Sequence, residues 1–211
     1  MNHKLYDKIM KADMANIMTC KGYHYFTNGE YNVNIIGVRA YNKDNRVTNA
    51  FDDFLVVTYK NNWGWVKKAW SITTEPGLVS MKGKLFNPNG TAILAEGQYV
   101  SAYKFGKHKG QYEALVQARP VKVFRDGNKD DVYDMNPETI ENGCFGINIH
   151  RSNPYMSSVK VDNWSAGCQV FSNPKEFTNF LNLCNKSRDL YGDAFTYTLI
   201  NETDLDDARR M

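Results

Sequence analysis

The sequence contains few cysteines and none of the short motifs that hold metals or nucleotides. Its four cysteines, Cys20, Cys144, Cys168 and Cys184, form no CxxC pair and show no zinc-ligand spacing. No HExxH, Walker A or dinucleotide-binding fingerprint occurs. We therefore expect neither a metal ion nor a cofactor.

Long apolar runs and a large excess of charge of one sign are also missing. No apolar stretch approaches the roughly 18 residues that a membrane-spanning helix needs, so we expect no membrane partner. The 26 basic and 23 acidic residues give a net charge of +3, and no basic stripe is interleaved with aromatic residues, which argues against nucleic-acid binding. A hydrophobic content of 42% indicates instead that this chain of 211 residues folds around a core.

Short apolar segments separated by turn residues dominate the second half of the chain. They cover residues 91–94, 98–105, 114–117 and 121–124. Such spacing is typical of an all-β sandwich or barrel rather than of repeated βαβ units. We therefore predict a mostly β fold, either a β-sandwich or a barrel-like mixed sheet.

Two helices are predicted beside this sheet. Near the N-terminus, apolar residues recur at helical spacing and Gly22 supplies a stop signal; the recurring residues are Tyr6, Met10, Met14 and Ile17. After residue 173, an i, i+3, i+4, i+7 pattern predicts a short helix whose core face carries Phe177, Phe180, Leu181 and Cys184.

The first 80 residues also contain two hairpin patterns. Residues 23–26 and 31–38 flank Asn28-Gly29, and residues 51–59 and 65–73 flank a turn at residues 61–64. A stretch rich in Gly, Lys, Asn and Pro follows at residues 77–89 and is the best candidate for a linker. We therefore predict an N-terminal helix and hairpin region over residues 1–80 and a second domain over residues 90–201.

Three tryptophans of the second hairpin raise the question of glycan binding, because exposed aromatic rings stack on sugars. Trp65 and Trp70 are five positions apart and face opposite sides of a regular strand, so they and Trp63 do not form one flat platform. We expect these side chains to pack in the core.

The most informative stretch covers residues 145–171, which contain His150 and, 18 positions later, Cys168. A cysteine nucleophile needs an imidazole within hydrogen-bond reach, because the thiolate is the reactive form. Gly167 allows a tight turn beside the thiol, and Ser165 offers a local hydroxyl. The backbone N–H groups of Gly167 and Cys168 are candidates for an oxyanion hole.

The other thiols fit this role less well. If residues 144–150 form one strand, Cys144 lies roughly 20 Å from His150 along it, so Cys144 is a poor alternative nucleophile. Cys184 belongs to the predicted core face of a helix, and Cys20 ends a helical segment. We expect both of them to be structural.

The pattern of His150 followed by Ser165-Ala166-Gly167-Cys168 resembles the catalytic signature of the L,D-transpeptidase family (YkuD type), in which a histidine and a spacer precede Ser/Thr-x-Gly-Cys. The resemblance covers residues 91–183. It implies that residues 90–201 are a catalytic domain that acts on peptidoglycan stem peptides through an acyl-enzyme at Cys168. His150, Ser165 and Gly167 would then share the catalytic site with Cys168.

The chain departs from the family pattern at two positions. Ala166 stands where family members usually carry His, and Val170 stands where they carry Arg or Asn. A stem peptide that bears a carboxylate still needs hydrogen-bond donors. We assign substrate binding to Arg151, to His108 of the basic loop at residues 107–109, to Asn148, two positions before His150, and to Gln169, directly after Cys168.

Several alternatives stay open at this level. Ser165 is not in a nucleophile elbow, because Asn163 stands where glycine is required. A paired-carboxylate glycosidase could use any of Glu113, Asp130, Asp131 and Glu141, and sequence selects no two of them. The acyl-enzyme could pass to an amine, which is transpeptidation, or to water, which is carboxypeptidase or endopeptidase hydrolysis. A different class of function is a structural or cell-wall-binding module of a phage particle.

The N-terminal segment provides information about where in the cell the protein is located. Its first 18 residues lack the apolar region and small-residue cleavage site of a secretory signal. An enzyme of this kind would reach the wall only after lysis or when carried in a particle, so we expect a phage-encoded endolysin-like protein. It would stay in the cytoplasm until lysis or travel in the particle.

Overall fold

The computed structural model describes residues 1–84 and 87–207. It confirms the mostly β fold, with 36% of residues in strands and 22% in helices. The sheet is mixed, as predicted, and eight strands close it into a barrel. A separate antiparallel sheet of three strands lies beside the barrel.

The strands are β1 (Asn34–Arg39), β2 (Asp53–Asn61), β3 (Gly64–Thr73), β4 (Thr91–Leu94), β5 (Gly97–His108), β6 (Tyr112–Gln117), β7 (Val121–Asp126), β8 (Glu141–Gly143), β9 (Ile149–Arg151), β10 (Gln169–Phe171) and β11 (Phe195–Asn201). The helices are α1 (His3–Lys11), α2 (Met14–Cys20), α3 (Leu78–Lys82), α4 (Pro174–Tyr191) and α5 (Asp204–Asp207), with a 3₁₀ turn at Pro137–Thr139. The barrel order is β1-β11-β5-β6-β9-β10-β3-β2, and the small sheet is β4-β7-β8.

The interior of the barrel holds the main core, and the N-terminal helices cover one outer face. Inward-facing residues such as Leu55, Leu115 and Ile149 join one cluster with Phe177 and Phe180 of α4. A second cluster packs α1 and α2 on the outer sides of β1, β2 and β11. Both faces of β2 are therefore buried, which explains its nearly continuous apolar sequence.

The N-terminal helical prediction needs correction, because the segment forms two helices. Asp13 caps α2 by accepting a hydrogen bond from the Asn16 amide, so the chain breaks where the spacing predicted continuity. The buried face is also shifted: Leu5 and Ile9 are buried in α1, whereas Met10 is exposed. Packing against the outer barrel face decides which side of the helix is covered.

The two hairpin predictions have different outcomes. The second is confirmed, because β2 and β3 pair up to Asn61 and Gly64 at the tip. The first is wrong, since no strand is formed by residues 23–33. Instead β1 pairs with β2 and, in parallel, with β11 from the far end of the chain. A partner so distant in sequence leaves no local signal.

The helix after residue 173 is present but not short. It covers 18 residues, from an Asn173 cap and Pro174 to Gly192 at φ 90°. The predicted core face of Phe177, Phe180, Leu181 and Cys184 is buried as expected. This helix supports β10 from the interior side, where Phe180 contacts the ring of Phe171.

The predicted division near residue 80 falls between elements of one barrel. Strands β1 to β3 precede it, and β5, β6, β9, β10 and β11 follow it. Backbone hydrogen bonds join the two sides where β3 pairs with β10 and β1 pairs with β11. Within residues 1–84 and 87–207, no helix is both long and apolar enough to cross a membrane.

Candidate active site

Two short parallel strands bring His150 and Cys168 together. β9 and β10 pair with His150 beside Val170, and the amide of Gln169, the first residue of β10, donates to the carbonyl of Asn148, which directly precedes β9. His150 and Val170 lie on the face opposite the main core, and Cys168 packs against Val170 on that side. The histidine and the cysteine are therefore diagonal neighbours on one face of this strand pair.

The Cys168 thiol is half-buried and held by backbone groups. Its Sγ accepts a hydrogen bond from the Asn148 amide at 3.4 Å and donates one to the Gly146 carbonyl at 3.4 Å. Burial raises the pKa of the Cys168 thiol, although the Asn148 amide acts in the opposite direction. Among the described residues, no hydrogen bond joins Sγ to His150. At neutral pH the resting cysteine is therefore a thiol.

His150 is oriented by its neighbours and is only 3% exposed. Its Nδ1 lies 2.8 Å from the carbonyl oxygen of Arg151, which can only accept, so the neutral ring carries its proton on Nδ1. The Tyr112 hydroxyl lies 3.1 Å from the same nitrogen and also donates to Arg151 O. Nε2 is consequently the basic nitrogen. Burial lowers the pKa of His150 to about 3, with a smaller contribution from His108.

His108 lies against His150 rather than in an exposed loop. The two imidazole rings are stacked with centroids 3.8 Å apart, and His108 is 6% exposed. The Asn148 side-chain amide lies 3.1 Å from Nδ1 of His108. Burial lowers the pKa of His108 to about 4, with further lowering from Lys109 and Arg151. His108, assigned from the sequence to substrate binding, is therefore buried against the His150 ring in this structure.

Ser165 and Gly167 shape the turn that carries the cysteine. Ser165 is fully buried; its Oγ donates to the Cys168 carbonyl at 2.8 Å and accepts from the Gly167 amide at 3.2 Å. The Gly167 amide is therefore already bonded and is not free for an oxyanion. The Cys168 amide has no hydrogen-bond partner among the residues described, so it is the available donor of the two.

Replacing Gly167 with alanine is expected to destabilise the protein by about 2 kcal/mol or more. Gly167 has φ +123°, and an added Cβ would lie 2.5 Å from the Ala92 carbonyl oxygen. Gly146→Ala is the matched control, because its φ is +73° but its Cβ would meet no atom within 4 Å. That control should cost only about 1 kcal/mol. Urea unfolding of both variants measures the difference, and equal losses would contradict the predicted clash.

Gln169 and Arg151, which were also assigned to substrate binding, have different surroundings. Gln169 is fully buried: its amide donates to Thr74 O and Gly167 O, and its oxygen accepts from the Tyr197 hydroxyl at 2.7 Å. Its side chain therefore supports the turn at Gly167 from the interior side. Arg151 lies beside the site, with its guanidinium 4.0 Å from the Tyr112 ring centroid.

A cavity of about 480 Å³ opens at Cys168. Its wall includes Ala166, Gly146 and Phe145, and two cations, Lys109 and Arg125. Cys144 also lines it, because residues 144–148 form no regular strand between β8 and β9. The estimate that placed Cys144 far along a strand was therefore wrong. Cys144 is exposed at the same cavity.

Sequence reasoning missed Tyr112 and Arg125. Tyr112 pairs with His108 across the β5–β6 turn, and that turn carries both rings to His150. The spacing of four between His108 and Tyr112 around Gly110 was a usable signal for a hairpin. Arg125 comes from the small sheet, and its place depends on how that sheet packs, for which the sequence has no local signal.

Changing His108 to phenylalanine should alter acid stability. His108 has its pKa lowered from 6.5 to about 4, so its contribution to stability is lost as the pH falls below 6.5 and through 4. The variant keeps an aromatic ring against His150 and removes this titration. Between pH 7 and pH 4 it should lose roughly 2–3 kcal/mol less unfolding free energy than the wild type. Urea titrations at both pH values measure this, with the exposed His3→Phe as control. Equal losses in all three proteins would contradict the assignment.

The tryptophans of the β2–β3 hairpin divide between surface and core. Trp70 is buried as expected, whereas Trp63 is 87% exposed at the hairpin tip. Trp65 is partly exposed and stacks on Tyr25 at 5.5 Å. The expectation of core packing therefore holds for Trp70 alone.

Comparisons of the chain with models of known families, with curated proteins and with solved structures give no match.

Proposed function

We propose that the protein is a cysteine-dependent acyl-transfer enzyme that acts on peptidoglycan stem peptides through a thioester at Cys168. The observation that carries this proposal is the placement of a half-buried thiol at the wall of a cavity, on the same strand face as an imidazole whose proton is fixed on Nδ1. The substrate class is supported by the resemblance of His150 and Ser165-x-Gly167-Cys168 to the L,D-transpeptidase signature.

The first half of the reaction forms the thioester. Nε2 of His150 accepts the thiol proton of Cys168, and Sγ attacks the peptide carbonyl carbon. The resulting oxyanion accepts a hydrogen bond from the unpaired Cys168 amide. When the C–N bond breaks, the proton on Nε2 passes to the departing amine. The thioester is then attacked by an amine or by water, and the thiol regains its proton.

The protonation states favour a general-base mechanism over a preformed ion pair. His150 has its pKa lowered to about 3 and Cys168 has its pKa raised, so at pH 7 both groups are neutral. The proton must therefore move as the substrate arrives, which requires the thiol to turn from Gly146 O toward Nε2. This arrangement differs from cysteine enzymes that hold a resting thiolate beside an imidazolium.

Incubation with purified peptidoglycan fragments tests the proposal directly. Mass spectrometry of the products distinguishes a cross-linked dimer, loss of a terminal residue, and internal cleavage of the stem peptide. A thioester adduct at Cys168, trapped by rapid acid quenching, would locate the intermediate. Fragments that are unchanged after long incubation, with no adduct at any cysteine, would contradict the acyl-transfer proposal and favour the structural or cell-wall-binding alternative.

A further inference from the structure

The cavity beside Cys168 carries positive charge on its wall. Lys109, at the β5–β6 turn, and Arg125, on β7, both line it, and no Asp or Glu among the described residues does. Glu141 pairs with Arg125 through Nε at 2.8 Å and offsets that charge, whereas Lys109 has no ion pair among the described residues, so the wall keeps a net positive charge. A cavity of this kind favours an anionic ligand.

Arg125 has unused hydrogen-bonding capacity. Its side chain is almost fully buried, with Nε bonded to Glu141 and Nη1 donating to the Gly90 carbonyl at 3.3 Å. Nη2 has no partner, and it is one of only three buried side-chain nitrogen or oxygen atoms in this state within the described residues. Buried guanidinium groups normally have acceptors for their N–H groups. Arg125 therefore lacks an acceptor that a ligand can supply.

The geometry points to a carboxylate of the acyl donor as that acceptor, held by Arg125 with help from Lys109. A carboxylate suits the planar fork of a guanidinium. The half-buried ring of Phe145 lies 4.6 Å from the Arg125 guanidinium carbon, and both side chains line the cavity. Lys109 is exposed, lines the same cavity as Cys168 and adds long-range attraction near Sγ.

This inference rests on the proposed function, since it takes Cys168 as the nucleophile that receives the acyl donor. It also explains how the chain can bind an anionic substrate without an arginine at position 170, where Val170 is fully buried. The cation comes instead from the small sheet, whose strand β7 carries Arg125 at the cavity wall.

Two alkylating probes of similar size test the inference without relying on turnover. Iodoacetate carries a carboxylate and iodoacetamide does not. The ratio of the iodoacetate rate to the iodoacetamide rate at one thiol therefore measures the preference for a carboxylate. The fraction of that thiol present as thiolate affects both rates equally and cancels in the ratio. Peptide mapping by mass spectrometry gives this ratio separately at Cys168 and at the exposed Cys20, which serves as the internal reference. We expect the ratio at Cys168 to exceed that at Cys20 by roughly tenfold or more.

Variants assign the preference to individual residues. Arg125→Gln should bring the ratio at Cys168 down to the Cys20 level, and Lys109→Gln should lower it in part. Lys107→Gln is the matched control, because Lys107 is an exposed lysine of the same hairpin that does not line the cavity. Equal ratios at Cys168 and Cys20, or an unchanged ratio in folded Arg125→Gln, would overturn the inference.

A measurement on the wild type covers the case in which Arg125→Gln does not fold. Glutarate should protect Cys168 from iodoacetamide, whereas the uncharged glutaramide should not; equal protection by both would overturn the inference. Stem peptides with a free or an amidated carboxylate then separate the two proposals. If the peptide with the free carboxylate binds better but neither peptide is turned over, the carboxylate site is upheld and acyl transfer is contradicted. If both peptides are turned over equally well, acyl transfer is upheld and the carboxylate site is contradicted.

Discussion

Cys168→Ala is expected to lower turnover of a stem-peptide substrate by roughly 10⁴-fold or more, because it removes the sulfur atom of the proposed nucleophile. The change deletes a single sulfur from a half-buried position, so the barrel should stay intact. Product formation measured by mass spectrometry gives the rate, and circular dichroism checks the fold. Substrate binding, measured by calorimetry, should change little, since the cavity wall is otherwise unaltered.

Cys144→Ala is the matched comparison, because Cys144 is the second thiol of the same cavity. Cys144 lies outside β9, and Asn148 and Gly146 hold the Cys168 sulfur rather than its own. We expect this variant to retain most of the activity. A comparable loss in both variants would mean that the two thiols act together, and a loss in Cys144→Ala alone would assign the reaction to Cys144.

The sequence singled out His150 and Cys168 as a pair because part of their geometry depends on local rules. Alternation along β9 and the turn at Gly167 place His150 and Cys168 on one face once their strands pair. The β2–β3 hairpin was also predictable, since Gly64 follows directly after a two-residue turn.

The surroundings of the pair could not be predicted in the same way. His108 and Tyr112 reach His150 through the pairing of β6 with β9, which joins segments more than 30 residues apart. Arg125 enters the cavity through packing of a separate sheet. Gln169 and His108 are buried, whereas residues of an exposed loop would be accessible to a ligand. Their burial depends on the assembled barrel and not on the local sequence. For these residues the sequence gives the type of side chain but not its position in the fold.

His150→Gln is expected to lower turnover at pH 7 by roughly 10²- to 10⁴-fold, the range usual for loss of a general base. Glutamine is close in size to histidine and can still donate a hydrogen bond to the Arg151 carbonyl, but it cannot accept a proton from the thiol. The variant then depends on spontaneous ionisation of Cys168, whose pKa is raised by burial. Its rate should therefore rise about tenfold for each pH unit from pH 6 to pH 9.

The wild type should behave differently over the same range. Because His150 has its pKa lowered to about 3, its basic nitrogen is unprotonated throughout, and the rate should change little between pH 6 and pH 8. The two profiles should converge at high pH, where the thiolate forms without help. His24→Gln, which changes an exposed histidine, should keep the wild-type profile. A parallel, merely lower profile in His150→Gln would show that His150 orients the site without taking the proton, because removing a base must change how the rate depends on hydroxide.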